Sequence, residues 1–117
     1  MTAPMVGGRP LAEVKAELFR ALAHPGRIRI LEVLATGERS VSELQPEVGL
    51  ESSHLSQQLG VLRRANLVVA RKDGNQVFYS VRSGLLADVL ASSKRLLISS
   101  LTDTQSLLAD LSDERTR

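Results

Sequence analysis

The chain contains no cysteine, and this absence removes several classes of site at once. Disulfide scaffolds, thiolate zinc sites, cysteine nucleophiles and thiol redox switches all need a thiol. No apolar run approaches the roughly 18 residues that a membrane span requires, so none is expected. Residues 1–9 lack a basic region followed by an apolar stretch, so no secretory signal is expected and the predicted compartment is the cytoplasm.

The chain is also short and nearly neutral. Its 117 residues suffice for one compact domain, with or without an appended helix. The net charge is only +2, so the distribution of charge along the chain is more informative than the total. Residues 1–10 hold two glycines and two prolines and are predicted to be a flexible N-terminal arm.

Two amphipathic helices are predicted after this arm. Apolar residues recur every three or four positions over Leu11–Leu22, with charged residues between them, which is the pattern of a helix with one buried face. A break follows at His24. Pro25 suits the first turn of a second helix because its missing N–H needs no partner there. This second helix is predicted to end near Gly37.

A short third helix is predicted over residues 40–48. Ser40 has a glutamate three residues later, a capping-box pattern in which each side chain bonds the backbone N–H of the other residue. Pro46 is predicted to end the helix early, near Leu44 or Gln45, because the residue before a proline disfavours helical geometry.

A fourth helix is predicted over Glu51–Ala65, after a turn at Gly49. The spacing of its leucines places them on one stripe: Leu55, Leu59 and Leu62. The opposite face is able to form hydrogen bonds and ends in an arginine; it consists of Ser53, Gln57, Gly60 and Arg64, with Ser56 at its edge. Two helices joined by a tight turn, the second with such a face, outline a helix-turn-helix.

A change of period marks the next segment as a β-hairpin. Leu67–Lys72 is rich in strand-forming residues, and Gln76–Val81 alternates as a strand does. The turn between them contains an Asp-Gly pair, which tolerates the positive φ that hairpin turns need. A two-stranded hairpin is marginal alone, so it is predicted to pack on the helices.

A long helix without internal proline is predicted over residues 83–113. Apolar positions step by threes and fours along a seam interrupted by two polar residues: Leu86, Leu90, Ser93, Leu97, Leu101, Thr104, Leu108 and Leu111. Such a seam exceeds what a small four-helix domain covers, so we predict packing against a second copy of the chain, with the two polar positions fixing the register. The predicted dimer interface consists of Leu11, Val14, Leu18, Leu86, Leu90, Leu97, Leu101 and Leu108.

The predicted fold is therefore mainly α with a β-hairpin wing. It is a winged helix-turn-helix that dimerises through its terminal helices. The parts are a flexible arm over residues 1–10, a DNA-binding domain over 11–82, a dimerisation helix over 83–113 and a flexible tail over 114–117.

Three segments resemble the signatures of the ArsR/SmtB family. Phe19–Leu31 is similar to the family's segment at the start of the second helix, Ser56–Val68 to its recognition-helix segment, and Arg71–Val81 to its wing. The resemblance covers roughly residues 11–90, with the motifs in the family's order. It implies a homodimeric bacterial repressor that binds operator DNA and usually responds to a metal ion or another inducer.

The chain departs from the metal-binding patterns of that family. The family often has a Cys-x-Cys pair on the third helix, where this chain has Glu43–Glu47 without a thiol. The family's second site would begin at Asp88 and continue at Leu90, Leu101 and Thr104, so one ligand of four remains. One carboxylate among leucines cannot hold a transition metal, so no cofactor is expected.

Two further departures lie on or beside the recognition helix. The family usually has histidine where this chain has Gln58, and glycine where it has Asn66. Asparagine is the next-best residue for a left-handed helix cap, so the fold is expected to survive that change.

Positive charge concentrates on the predicted recognition helix and wing. Residues 52–82 carry five basic side chains and one acidic one, a net charge of +4, whereas residues 83–117 carry −1. DNA binding needs such a concentration because phosphates must be neutralised. The predicted DNA contacts are Ser52, Ser53, His54, Ser56, Gln57, Arg63 and Arg64 on the helix and Arg71, Lys72, Asn75 and Gln76 on the wing.

Different roles are predicted within this set. Gln57 has the amide geometry that pairs with adenine in the major groove. The paired arginines at the end of the helix are expected to bind phosphate, and the wing is expected to lie against the backbone or in the minor groove.

Three functions compete at this point. The first is a homodimeric repressor with double-stranded operator DNA as its partner. The second is the same repressor responding to a metal through a non-standard oxygen and nitrogen site, and the third is a winged-helix module for protein interaction. Because the usual ligands are missing, a separate sensor protein is a further candidate partner. An enzyme is not expected, since Ser53 and His54 point apart on a helix and no phosphate-binding loop is visible.

Overall fold

The computed structural model describes residues 3–115, and these residues form mainly helices with short strands between them. In chain order the elements are β1 (Met5–Val6), β2 (Arg9–Pro10), α1 (Leu11–Leu22), α2 (Pro25–Leu34), β3 (Arg39–Ser40), α3 (Val41–Val48), α4 (Ser52–Arg64), β4 (Val68–Asp73), β5 (Gln76–Val81) and α5 (Leu85–Arg115). The chain divides after Leu86 into two compact units, the second of which is the remainder of α5. The predicted winged helix-turn-helix is confirmed.

The core of the first unit is built from leucine-rich faces of α2, α3 and α4. Its fully buried side chains are Ile30, Leu31, Leu34, Leu44, Leu55, Leu59, Leu62 and Val68. The three leucines of α4 are those that the spacing placed on one stripe. Burying a side chain of this size stabilises the fold by roughly 1.5–3 kcal/mol, so this stripe determines which face of α4 turns outward.

The start of α2 is fixed by a histidine cap. Nδ1 of His24 accepts hydrogen bonds from the backbone N–H groups of Gly26, at 3.0 Å, and Arg27, at 3.4 Å. These are two of the N–H groups that a helix start leaves without a partner. A Cβ on Gly26 would lie 3.0 Å from Cε1 of His24 and 3.1 Å from Cδ1 of Leu50, so a larger residue here would require the ring or the leucine to shift.

The third helix differs from its prediction at Pro46. Instead of ending near Leu44 or Gln45, α3 continues through Pro46 to Val48. The capping box at Ser40 supports its start, and Gly49 ends it in the left-handed conformation with φ of 76°. A proline at this position removes one backbone hydrogen bond, and the two well-formed ends and the burial of Leu44 outweigh that loss.

The wing is a three-stranded sheet rather than the two-stranded hairpin of the prediction. β4 and β5 pair antiparallel from Val68 opposite Val81 to Asp73 opposite Gln76, and Gly74 in the turn has φ of 61°. β3 adds a short strand on the other edge of β5, with Ser40 opposite Phe78. The extra strand joins the wing to the residue that caps α3.

The N-terminal segment contains a short hairpin that the prediction of a flexible arm over residues 1–10 does not include. β1 and β2 pair, and the N–H of Leu11 donates to the carbonyl of Pro4 at 2.8 Å. Arg9 donates two hydrogen bonds to Glu17 on α1, at 2.6 and 3.0 Å, and thereby lowers the pKa of that carboxyl. Residues 1 and 2 lie outside the described part.

The last helix carries most of the exposed apolar side chains. Leu97 and Leu101 are each 63% exposed and Leu108 is 58% exposed, whereas Leu86 is 7% exposed and belongs to the core of the first unit. The helix includes residues 114 and 115 of the predicted flexible tail, and residues 116 and 117 lie outside the described part. Within the described residues, no helix has the length and apolar character needed to cross a membrane.

Candidate nucleic-acid interface

The outward face of α4 is polar and open to solvent. Because Leu55, Leu59 and Leu62 hold the opposite face in the core, the seven side chains predicted to contact DNA are all exposed: Ser52, Ser53, His54, Ser56, Gln57, Arg63 and Arg64. Within residues 52–64 there is no carboxylate. The face therefore offers hydroxyl, amide and guanidinium groups to a partner that accepts hydrogen bonds.

The wing and the start of α4 meet at a cleft of about 390 Å³. Its lining brings together three residues predicted from separate segments, Ser52 of α4 and Asn75 and Gln76 of the wing. Ser42 and Gln45 of α3 also line it, and neither was predicted as a contact. The available signal was their position as polar residues flanking the buried Leu44 on the first helix of the helix-turn-helix.

The last turn of α4 ends in two consecutive arginines, Arg63 and Arg64. Arg64 lies back along its own helix, so that a Cβ on Gly60 would be 3.3 Å from Nη1 of Arg64. Gly60, which lies on the same outward face, leaves room for this arrangement. Cations in the last turn also interact favourably with the carbonyl end of the helix.

The structure places Arg71 in a set of local interactions. Its guanidinium donates to both carboxylate oxygens of Glu38, at 2.8 and 3.3 Å, and lies 4.6 Å from the ring centroid of Phe78, its cross-strand neighbour. Asp73 lies 3.6 Å away. The hydrogen bonds from Arg71 lower the pKa of Glu38, and the same hydrogen bonds raise the pKa of Arg71.

The other predicted wing residues take no part in these interactions. Lys72, Asn75 and Gln76 are exposed, and the side chain of Lys72 has no ion pair in the part of the chain that the structure describes. Lys72 lies opposite Val77 in the hairpin, next to the turn. The wing therefore offers one unpaired cation and two amides at its tip.

Metal ligands do not cluster in the described residues. No group of three or more histidine, aspartate or glutamate side chains there is placed to hold a metal ion. Nδ1 of His24 is occupied as the cap of α2, and His54 lies on the exposed face of α4.

Asn66 has φ of 61°, the left-handed conformation expected where the family usually has glycine.

A helix-turn-helix followed by a β-sheet wing defines a winged helix-turn-helix protein. A family model described as bacterial regulatory protein, arsR family, matches residues 24–69. The chain is 54% identical over 103 residues to Rv0081, an uncharacterized HTH-type transcriptional regulator of Mycobacterium tuberculosis, and the match covers 87% of this chain and 90% of the relative. The chain belongs to the arsR family of bacterial regulatory proteins.

Solved structures agree with this assignment. The crystal structure of Rv0081 matches at 55% identity with a TM-score of 0.74, covering 81% of this chain and 96% of that one. The solution structure of a homodimeric winged helix-turn-helix DNA-binding domain from Mycobacterium bovis matches at 30% identity with a TM-score of 0.69, covering 78% and 84%. A biofilm growth-associated repressor of Agrobacterium fabrum is 47% identical over 64 residues, 55% of each chain.

Proposed function

We propose that the chain is a homodimeric repressor that binds a specific sequence of double-stranded DNA in the bacterial cytoplasm. One observation carries the proposal: the exposed, carboxylate-free face of α4 adjoins a cleft that is lined both by its first residue, Ser52, and by the amides of the wing tip. A helix in the major groove with a wing beside it uses such an arrangement. The relative from Agrobacterium fabrum, whose name describes a repressor, supports repression rather than activation of transcription.

Within this function, base reading is assigned to the middle of α4. Gln57 is exposed, lies one turn after Ser53, and can bond both N6 and N7 of adenine. Arg63 and Arg64 are assigned to phosphate. On the wing, Lys72 is assigned to phosphate because it has no competing carboxylate in the described structure, and Arg71 is a cation already paired with Glu38.

The dimer contact is assigned to both terminal helices. On α5, Leu97, Leu101 and Leu108 are exposed in the single chain, and on α1 the side chains of Leu11, Val14 and Leu18 are half-buried. Ser93 and Thr104 bond backbone carbonyls of their own helix, at 2.7 and 2.9 Å, so their hydroxyls would be satisfied in an apolar interface. The homodimeric domain from Mycobacterium bovis supports this state. Sedimentation equilibrium measures the molar mass in solution, and a monomer would contradict this assignment.

The function is tested by selecting duplexes from a randomised library with the wild-type protein, then measuring affinities by fluorescence anisotropy. Gln57→Ala is expected to weaken binding to the selected duplex by about 1–3 kcal/mol and to relax the sequence preference at one position. The matched control is Gln105→Ala, an exposed glutamine on α5. No enrichment by the wild-type protein would instead indicate a protein-interaction module. An unchanged preference in Gln57→Ala would reject the assignment of base reading.

A further inference from the structure

One half-buried arginine connects three helices of the first unit. Arg27 lies on α2, and its guanidinium donates to acceptors on two other helices. Nε donates to the carbonyl of Ala21 at 2.6 Å and Nη2 donates to the carbonyl of Arg20 at 3.1 Å, both in the last turn of α1. Nη1 donates to Oε1 of Gln58 on α4 at 2.9 Å. Each nitrogen of the group therefore has its own acceptor.

The bonds to α1 have a clear physical basis. The last four carbonyls of a helix have no partner within the helix, and Arg20 and Ala21 supply two of these. A cation at this end is also favoured by the aligned peptide dipoles. Because the guanidinium is planar and its nitrogens point in fixed directions, the same contacts also determine where Nη1 points. Arg27 thus holds one point on α4 in a defined position relative to the end of α1.

That point lies beside the proposed reading face. Gln58 follows Gln57, and successive residues of a helix are turned by about 100°, so Gln58 is half-buried at the edge of the face while Gln57 is exposed. The leucines of α4 hold it to the core through apolar contacts, which are not directional. The hydrogen bond from Arg27 supplies a directional restraint on the rotation of α4 about its own axis. Base reading needs this because functional groups must be held within about 0.5 Å of the productive geometry.

We propose that Arg27 and Gln58 form a positioning pair that sets the orientation of the recognition helix relative to α1, so that discrimination between DNA sequences depends on an arginine that does not touch DNA. The inference rests on the proposed DNA-binding function. Because Arg27 already makes three hydrogen bonds within the chain, it is a positioning residue and not a phosphate contact. Phosphate contacts carry no sequence information, so disturbing the pair should alter discrimination and leave non-specific affinity in place.

The experiment uses the full chain with the variants Arg27→Lys and Gln58→Met. The lysine keeps the charge but has a single nitrogen, and the methionine keeps the length of the side chain but has no amide oxygen. Affinities are measured for the selected duplex and for a scrambled duplex of the same length at one salt concentration. Each variant is expected to bind the selected duplex about five- to tenfold more weakly, near the lower end for one base contact, with scrambled-duplex affinity unchanged.

Two controls separate positioning from a general loss of structure. Arg29→Lys makes the same chemical change on α2 at an exposed arginine whose side chain has no hydrogen bond or ion pair among residues 3–115, and its discrimination should equal that of the wild type. Thermal unfolding shows whether each variant is folded at the assay temperature. In the double variant the loss should not exceed that of the more severe single variant, because either change breaks the same bond.

The outcomes are distinguishable. If the wild type selects no duplex, the proposed function fails and the inference fails with it. If the wild type discriminates and both single variants discriminate equally well, the positioning pair is rejected while the proposed function stands. Equal losses on both duplexes, or losses that multiply in the double variant, would also reject it. A loss confined to the selected duplex and not additive supports it.

Discussion

Replacing Glu38 with glutamine is expected to strengthen DNA binding and to make it more sensitive to salt. In the free chain the two oxygens of Glu38 accept hydrogen bonds from Arg71 and neutralise its charge on the wing. The side chain of Arg71 is 53% exposed and that of Glu38 is 38% exposed, so water and salt screen the pair and it adds little to stability. Glu38→Gln removes the competing charge and leaves Arg71, still supported by the ring of Phe78, able to bind a phosphate.

The size of the effect follows from the number of cations released. Each phosphate neutralised on duplex DNA adds about 0.9 to the slope of log affinity against log salt. A dimer has two wings, so the slope should steepen by about 1.8. Between about 50 and 200 mM salt, the affinity of the variant should then fall about twelvefold further than that of the wild type.

The assay is fluorescence anisotropy on the selected duplex at several salt concentrations. Glu32→Gln controls for the loss of one negative charge, since this exposed glutamate on α2 has no ion pair in the described part of the chain. In the double variant Glu38→Gln with Arg71→Gln, the added slope should disappear. If Glu38→Gln and Glu32→Gln give the same slope, Arg71 is not withheld from DNA by Glu38, and the reasoning is refuted.

Two further variants test the helices of the helix-turn-helix. Gly60→Ala should stabilise the fold by about 1 kcal/mol, a rise of a few degrees in Tm, because alanine favours the helix and only the mobile end of Arg64 must shift. The same variant should bind DNA more weakly, since it adds a methyl to the outward face; calorimetry and anisotropy measure the two effects. Glu43→Gln keeps a capping oxygen but removes a carboxyl whose pKa is lowered by the backbone N–H of Ser40. A lowered pKa stabilises the fold above the unfolded-state pKa and loses that contribution as pH falls through the folded-state value, so Tm of this variant should fall less between about pH 7 and pH 3 than that of the wild type.

Each of these two predictions has a contrary outcome. A lower Tm for Gly60→Ala would show that Arg64 cannot move and that the glycine is required for the fold itself. An acid-induced fall in Tm as steep in Glu43→Gln as in the wild type would show that the capping box is not the source of the pH dependence.

Local patterns in the sequence determined the elements well. The helical periodicity predicted the first and last residues of α1 correctly, Leu11 and Leu22. The leucine stripe of α4 identified its buried face. These features depend on residues within a few positions of one another. The prediction for Pro46 failed because it gave the restriction on the residue before a proline more weight than the capping box at Ser40 and the left-handed glycine after the helix.

Interactions between residues far apart in the sequence could not be predicted from such local patterns. Arg27 and Gln58 are 31 positions apart, and Glu38 and Arg71 are 33 apart, so no spacing rule relates them. The basic character of Arg71 correctly marked it as a wing cation, but its ion pair could be found only in the folded chain. The position of Ser42 in the lining of the cleft could not be predicted for the same reason, because the cleft depends on how the wing packs beside α3.

The short strand β3 affects the spacing between the wing and the helix-turn-helix, and therefore which duplexes fit the protein. Ser40 pairs with Phe78 in the sheet and at the same time caps α3, so one residue belongs to both the wing and the helix-turn-helix. The two parts are therefore joined by backbone hydrogen bonds and cannot easily change their spacing. Because the spacing between the wing and the helix-turn-helix is fixed, a bound duplex must present neighbouring grooves at the matching distance. We expect its preference to extend to base pairs that it never touches, through the ease with which they bend or narrow a groove.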